Sequence, residues 1–211
     1  MKMSERKDRY KSALTRYLPH EYIDYVVDIL ITHPVTFKIS KPRKTKLGDF
    51  RANREGKLHQ ITVNGNLNKY SFLITTLHEF AHLITYNEHK WRVKPHGKEW
   101  QANYSKLMVP VIEMGHLPSE LKDVLLNSLI NVKASSCTDK NLHRVLLSYD
   151  KLEEGFNYLE QLEHSSTFEL NGKTFTKGNL RRTRYVCMEY NTQKTYLVNA
   201  LAKVKEVKNE R

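Results

Sequence analysis

The sequence predicts an α+β chain: helices packed on a small β-sheet, one buried helix at the core, and a small β-rich module after them. Three observations carry that reading. Leu73–Tyr86 is apolar around most of a helical circumference, which puts the helix inside a core rather than on its surface. Val35, Phe37 and Ile39 alternate with Thr36 and Lys38 at the period of a strand, and Leu47, Phe50, Leu58, Ile61 and Val63 extend the pattern. Beyond residue 150 the texture turns to short strand-like runs, led by Thr167–Thr176, with Asn171-Gly172 at the position of a tight hairpin turn.

Taken in order, Ser4 caps a short helix whose Tyr10, Leu14 and Leu18 recur every four residues, and Pro19 ends or resets it. A second helix from about Glu21 to Ile31 presents Tyr22, Val26, Ile29 and Leu30 as a stripe, closed by His33-Pro34. Lys41-Pro-Arg-Lys-Thr is a loop between strands, and Glu55-Gly56 marks a second connection. After the central helix, Glu99–Val109 forms another, with Trp100, Tyr104, Leu107 and Met108 as its packing residues. Pro118 opens the next, Ser119–Asn131, carrying Leu121, Val124, Leu125 and Ile130. The polar small-residue stretch Lys133–Asp139 is the boundary, followed by a short helix around Leu142–Tyr149. The expected organisation is a domain over 1–132, a connecting segment and helix over 133–150, and a β-rich module of three or four strands over 151–211, with Tyr185–Tyr190 and Thr195–Leu201 as further strands.

Composition sets the outer limits. A chain of 211 residues with 39% hydrophobic content can fill one large domain, or a medium one with an appendage. No run approaches the eighteen or so apolar residues of a membrane span, and the first residues are charged without an apolar stretch behind them, so the expectation is a soluble, cytoplasmic protein with no membrane partner. Two cysteines, Cys137 and Cys187, are too few for a disulfide framework and form no C-x-x-C pair. The net charge of +12 favours polyanions as partners, nucleic acid first.

The chemistry concentrates in His78-Glu-Phe-Ala-His82. Histidines four residues apart on a helix project from one face, so both imidazoles can reach one ion. Glu79 between them suits a general base, which takes a proton from water while the metal polarises a carbonyl. A catalytic zinc keeps three protein ligands and one open position, so a third ligand must come from downstream. His89 lies about 10 Å further along a continuous helix, too far to share the ion. His96 fits better, because Pro95 and Gly97 interrupt the helix and let the chain turn back. Glu99 and Glu113 are the carboxylate alternatives for that third ligand. Glu99 has a second reading, as the acceptor of a hydrogen bond from a ligand imidazole.

His78-Glu-Phe-Ala-His82 followed thirteen residues later by His96-Gly-Lys-Glu-Trp100 resembles the SprT-like zinc metalloprotease family, which includes the Spartan proteases. Thr85 stands where the metzincin motif has glycine, so that family does not fit. Lys46-Leu-Gly-Asp-Phe-Arg51 and Ile61–Asn64 resemble the family's paired strands ahead of the helix, and the similarity covers roughly residues 10–132. The resemblance implies a zincin-like metalloprotease domain, a single Zn2+ held by His78, His82 and His96, Glu79 as the catalytic residue, and a protein or peptide substrate. Many members carry a four-cysteine zinc ribbon after that domain. Here Arg184-Tyr-Val-Cys187 resembles one ribbon strand, but its cysteine partners are missing, so the ribbon is expected to be lost.

Two basic clusters point to nucleic acid. Residues 38–57 hold eight Lys or Arg, among them Lys41, Arg43, Lys44 and Lys46, against Asp49 and Glu55. Residues 173–184 hold Lys173, Lys177, Arg181, Arg182 and Arg184 with no acid, near Phe175, Tyr185 and Tyr190. On a strand, Arg182 and Arg184 would share one face and Arg181 the other. The sequence thus reads as a zinc endopeptidase acting on DNA-bound or DNA-crosslinked proteins, cytoplasmic and associated with the nucleoid. The alternative is a nucleic-acid-associated regulatory protein with a structural zinc site.

Overall fold

A computed structural model of the chain describes residues 3–43, 45–54, 56–130 and 139–207. It is mixed helix and sheet, and it divides into two compact units, Met1–Asp150 and Lys151–Arg211.

In the first unit, helices α1 (Met3–Leu14) and α2 (Ile23–Thr32) lead into strands β1 (Thr36–Ser40), β2 (Gly48–Arg51) and β3 (Gln60–Asn64). The sheet order is β1-β3-β2, with β1 parallel and β2 antiparallel to β3. The central position of β3 explains its sequence: Ile61, Thr62, Val63 and Asn64 are all buried, as a strand covered on both faces requires. Helix α3 (Lys69–His89) packs against β2 and β3, and Phe72, Leu73, Leu77, Phe80 and Ala81 have no exposed surface. Helices α4 (Lys98–Glu113), α5 (Ser119–Ile130) and α6 (Lys140–Ser148) complete the same core through Trp100, Met108, Leu121, Leu125 and Leu142.

Both ends of α3 are fixed by the chain. The Asn68 side chain accepts a hydrogen bond from the Ser71 amide at 2.9 Å and so caps the first turn. Its amide nitrogen donates to the Leu146 carbonyl (2.8 Å) and to Asp150 (2.7 Å), tying the start of α3 to the end of α6. At the other end, Lys90 takes a left-handed φ of 56° and turns the chain off the helix axis.

Several details differ from the sequence reading. Ser4 lies inside α1 rather than capping it, and Leu18 falls beyond that helix while still being buried. Leu58 precedes β3 and is exposed, and Ile130, at the last turn of α5, is exposed as well. Helix α4 runs through Pro110 to Glu113, because Val111 and Ile112 bury the final turn. Helix α6, read from sequence as part of a connecting segment, places Leu142, Val145 and Leu146 in the first core. Glu55, Asn131 and 133–138, including Cys137, lie outside the described residues.

The second unit is one antiparallel sheet of six strands: β4 (Phe156–Tyr158), β5 (Thr167–Leu170), β6 (Lys173–Arg181), β7 (Arg184–Glu189), β8 (Thr195–Asn199) and β9 (Lys203–Glu206), in the order β4-β9-β5-β6-β7-β8. Strands β4 and β9 exceed the expected three or four; each is short and only one side chain of each is buried, so neither shows a clear apolar alternation. The β5–β6 turn is Asn171-Gly172, both at positive φ (51° and 74°), the conformation that favours this pair in two-residue hairpins. Leu159, Phe168, Phe175, Cys187, Val198 and Val204 form the core. A bulge shifts the β6–β7 register between Lys177 and Leu180; a side chain on Gly178 would strike the Val186 carbonyl, so the bulge depends on glycine. Among the described residues no helix is long and apolar enough to cross a membrane.

Candidate metal centre

Helix α3 supplies His78 and His82 one turn apart, and the chain returns a third imidazole from the loop after Lys90. His96 adopts φ 61°, an uncommon conformation for a residue with a side chain. The loop holds it there: the Gly97 amide donates to the Lys94 carbonyl (2.9 Å) and the Gln101 side chain donates to the His96 carbonyl (3.1 Å). The Nε2 atoms of His78, His82 and His96 lie 3.0–3.1 Å from one another. Trp100, 1% exposed, backs all three, its ring centroid 4.7 Å from His78 and His96 and 5.3 Å from His82. Tyr104 stacks behind Trp100 at 5.0 Å.

This donor set fits a divalent ion of the zinc class. Tetrahedral zinc with Zn–N of about 2.0–2.1 Å implies N···N separations of about 3.3 Å, close to the observed triangle. Burial and the neighbouring imidazoles push His78 down to about 3 and His82 to about 4, and burial also lowers His96. All three are therefore neutral near pH 7, the form in which imidazole ligates. His78, His82 and His96 are, among the described residues, the group whose ligand atoms converge closely enough to hold a metal.

Glu79 is buried next to His78, and its carboxylate rests against the backbone of β2. A Cβ on Gly48 would stand 2.5 Å from Glu79 Oε1 and 2.7 Å from Thr75 Cγ2, so β2 approaches α3 this closely only because residue 48 has no side chain. Burial first, and Asp49 second, push the Glu79 carboxyl up to about 8, against the opposing influence of the Phe50 amide, Arg43 and Lys46. Sequence reasoning missed Gly48 as a functional position; its signal is a glycine inside a strand pattern, which marks close approach of another element.

The other predicted positions fall as follows. His89 ends α3 beside Glu88 (3.7 Å), and Glu113, exposed, closes α4; neither joins the imidazole cluster. Glu99 is in the first turn of α4, where its Oε2 lies 3.2 Å from the place a Gly97 Cβ would take; the ring-nitrogen contacts of the cluster do not involve it. Arg43 is built into the sheet, donating to Asn64 Oδ1 (2.7 Å) and Thr62 Oγ1 (3.0 Å). Lys46 pairs with Asp49 at 2.7 Å, Lys41 is exposed in the loop after β1, and Lys44 lies outside the described residues.

In the second unit, Lys177 is 4% exposed and donates to the carbonyls of Glu160 and Leu162, so it leaves the proposed basic surface. Lys173 pairs with Glu189 at 3.1 Å, an acid that β7 brings from outside the sequence window. Arg181, Arg182 and Arg184 are exposed, but not in the predicted alternation. Arg181 and Arg184 are a registered cross-strand pair on one face, while Arg182 occupies the hairpin turn at φ 60°. A two-residue turn between them, rather than continuous strand, is the physical reason.

Comparison with known proteins gives a consistent identity. The family model described as "SprT-like family" matches residues 18–121, which contain all of β1–β3, α3 and α4. "Protein SprT" of Vibrio parahaemolyticus serotype O3:K6 (strain RIMD 2210633) is 39% identical over 85 residues, covering 36% of this chain. The match spans 51% of that protein, about half its length. No solved structure matches the chain. Residues 18–121, just under half of the chain, match the SprT-like family.

Proposed function

We propose that the chain is a zinc-dependent endopeptidase with a zincin-like core, in which His78, His82 and His96 hold the ion and Glu79 handles the proton. The observation that carries this reading is the convergence of three neutral imidazole nitrogens within 3.1 Å, one helical residue away from a buried carboxyl. Zinc, when bound, supplies Lewis acidity toward a peptide carbonyl and toward water. Glu79 Oε accepts the proton of the attacking water and returns it to the leaving amine. Its burial suits the first task, because a carboxyl pushed up to about 8 is, once ionised, a stronger base toward water than an ordinary carboxylate, and a nearby dication favours that ionised form. Strand β2 is an edge of its sheet, so a peptide can add to it by main-chain hydrogen bonds beside Gly48 and Glu79.

The proposed substrates are proteins held on DNA, with the exposed Arg181–Arg184 hairpin as the phosphate contact. The competing reading, a regulatory protein with a structural zinc, needs a fourth protein ligand. The cluster among the described residues has three, which supports the catalytic reading. Glu79→Gln and His82→Ala separate the roles. The first should keep zinc and lose proteolysis, and the second should lose both; proteolysis retained by Glu79→Gln would refute the assignment.

A further inference from the structure

Beside the imidazoles lies a small cleft, open to solvent, that the proposed proton chemistry does not use. It is lined by His82 and Trp100, by Phe50 from edge strand β2 and Tyr86, one turn beyond His82 on α3, and by Trp91, Val93 and Pro95 from the His96 loop. The aromatic groups touch in sequence: Phe50 to Tyr86 at 5.7 Å and Tyr86 to Trp91 at 4.8 Å. Trp91 is nevertheless 75% exposed. The same loop positions His96 and Trp91, so part of the cleft lining and the third imidazole share one support. Lys90 and Lys94 stand at the rim, with Lys90 Nζ 5.0 Å from the centre of the Tyr86 ring.

We infer that this cleft is the specificity pocket for the substrate polypeptide: it takes a large apolar or aromatic side chain next to the scissile bond, with an acidic residue nearby that meets Lys90 and Lys94. The inference rests on the endopeptidase reading for its place in the reaction, and it adds the class of sequence that is cut. Three features argue for this occupant. Most of the lining side chains are aromatic or aliphatic, which rewards an apolar side chain rather than a polar one. Phe50 belongs to β2, whose free edge aligns an extended peptide, so alternate side chains of that peptide point toward the helix side where the cleft opens. Lys90 and Lys94 at the rim complement an acidic side chain.

The test is equilibrium binding, which does not depend on turnover. Fluorescein-labelled peptides are titrated into the zinc-loaded Glu79→Gln chain and read by anisotropy: one with Phe followed by Asp, one with Ala in place of Phe, and one with Lys in place of Asp. The Phe-Asp peptide should bind about tenfold more tightly than either partner peptide, a ratio typical of one apolar side chain or one rim charge. Trp91→Ala should erase the preference for Phe and leave the preference for Asp, and Lys94→Glu should reverse the latter. Equal binding of the three peptides, or an unchanged Phe preference in Trp91→Ala, overturns the inference. Oligothymidylate that quenches Trp91 and displaces the Phe-Asp peptide would assign the cleft to stacked bases and overturn it too. Discrimination by Glu79→Gln together with no cleavage of any peptide by the zinc-loaded parent chain would refute the hydrolase and leave the pocket standing, so the two failures are distinguishable.

Discussion

In the second unit the buried Lys177 ammonium meets the carbonyls of Glu160 and Leu162 and lies 4.2 Å from the centre of the Tyr185 ring, while the buried Glu189 carboxylate meets Lys173 at 3.1 Å and the Thr192 hydroxyl at 2.7 Å. In the first unit, burial brings like with like: three imidazoles face each other, and Asp49 acts on the Glu79 carboxyl to raise it further. Both arrangements bury titratable groups, but only the first leaves donor atoms aimed at a common point. Complementary partners mark a group that holds a fold together. Convergent like groups mark one that can hold a cation, and their shifted protonation follows from burial and from one another.

Substitutions at the two kinds of site should therefore fail differently. The largest effect is expected at Gly48. Gly48→Ala puts a methyl 2.5 Å from Glu79 Oε1 and displaces the carboxyl, so peptide turnover should fall about 100-fold, the scale of an ångström-sized misplacement, while zinc content is kept. Turnover within twofold of the parent would show that the position of the Glu79 carboxyl does not depend on the bare backbone at residue 48. At Lys177 the effect should fall on stability alone. Lys177→Met leaves two carbonyls without their donor, at about 1–3 kcal/mol, and should lower the melting of the second unit with zinc binding unaltered. The smallest effect is at the surface. Arg181→Ala with Arg184→Ala should reduce the salt dependence of DNA binding by about two charges and leave both zinc and melting unchanged. An unaltered salt slope would remove the hairpin from any DNA interface.

What the sequence made legible follows the range of the forces involved. Two histidines on one helical turn are fixed by local geometry, so His78 and His82 could be placed by counting, and α3 by its apolar circumference. The meeting of His96 with them depends on a turn that Lys90 and His96 make at positive φ, a conformation that composition does not announce for residues other than glycine. Gly48 acquires its importance only when β2 docks on α3, a contact between elements about thirty residues apart. The same limit explains the basic cluster of 173–184. Along the chain Lys177 reads as surface charge, yet its strand position faces the core beside Cys187, and the Arg181 and Arg184 side chains share a face because a turn, not a strand, joins them. Leu58 and Ile130 show the reverse case, apolar residues at element ends whose neighbours do not reach them.

X-ray absorption at the zinc edge on the zinc-loaded chain tests the central claim most directly, because it reads the ligand set without relying on activity. Three imidazole nitrogens and one solvent oxygen are expected, with one imidazole lost in His96→Ala and zinc affinity lowered by more than the 10–100-fold typical of a supporting residue. Four protein ligands closing the tetrahedron, or an unchanged spectrum in His96→Ala, would contradict it.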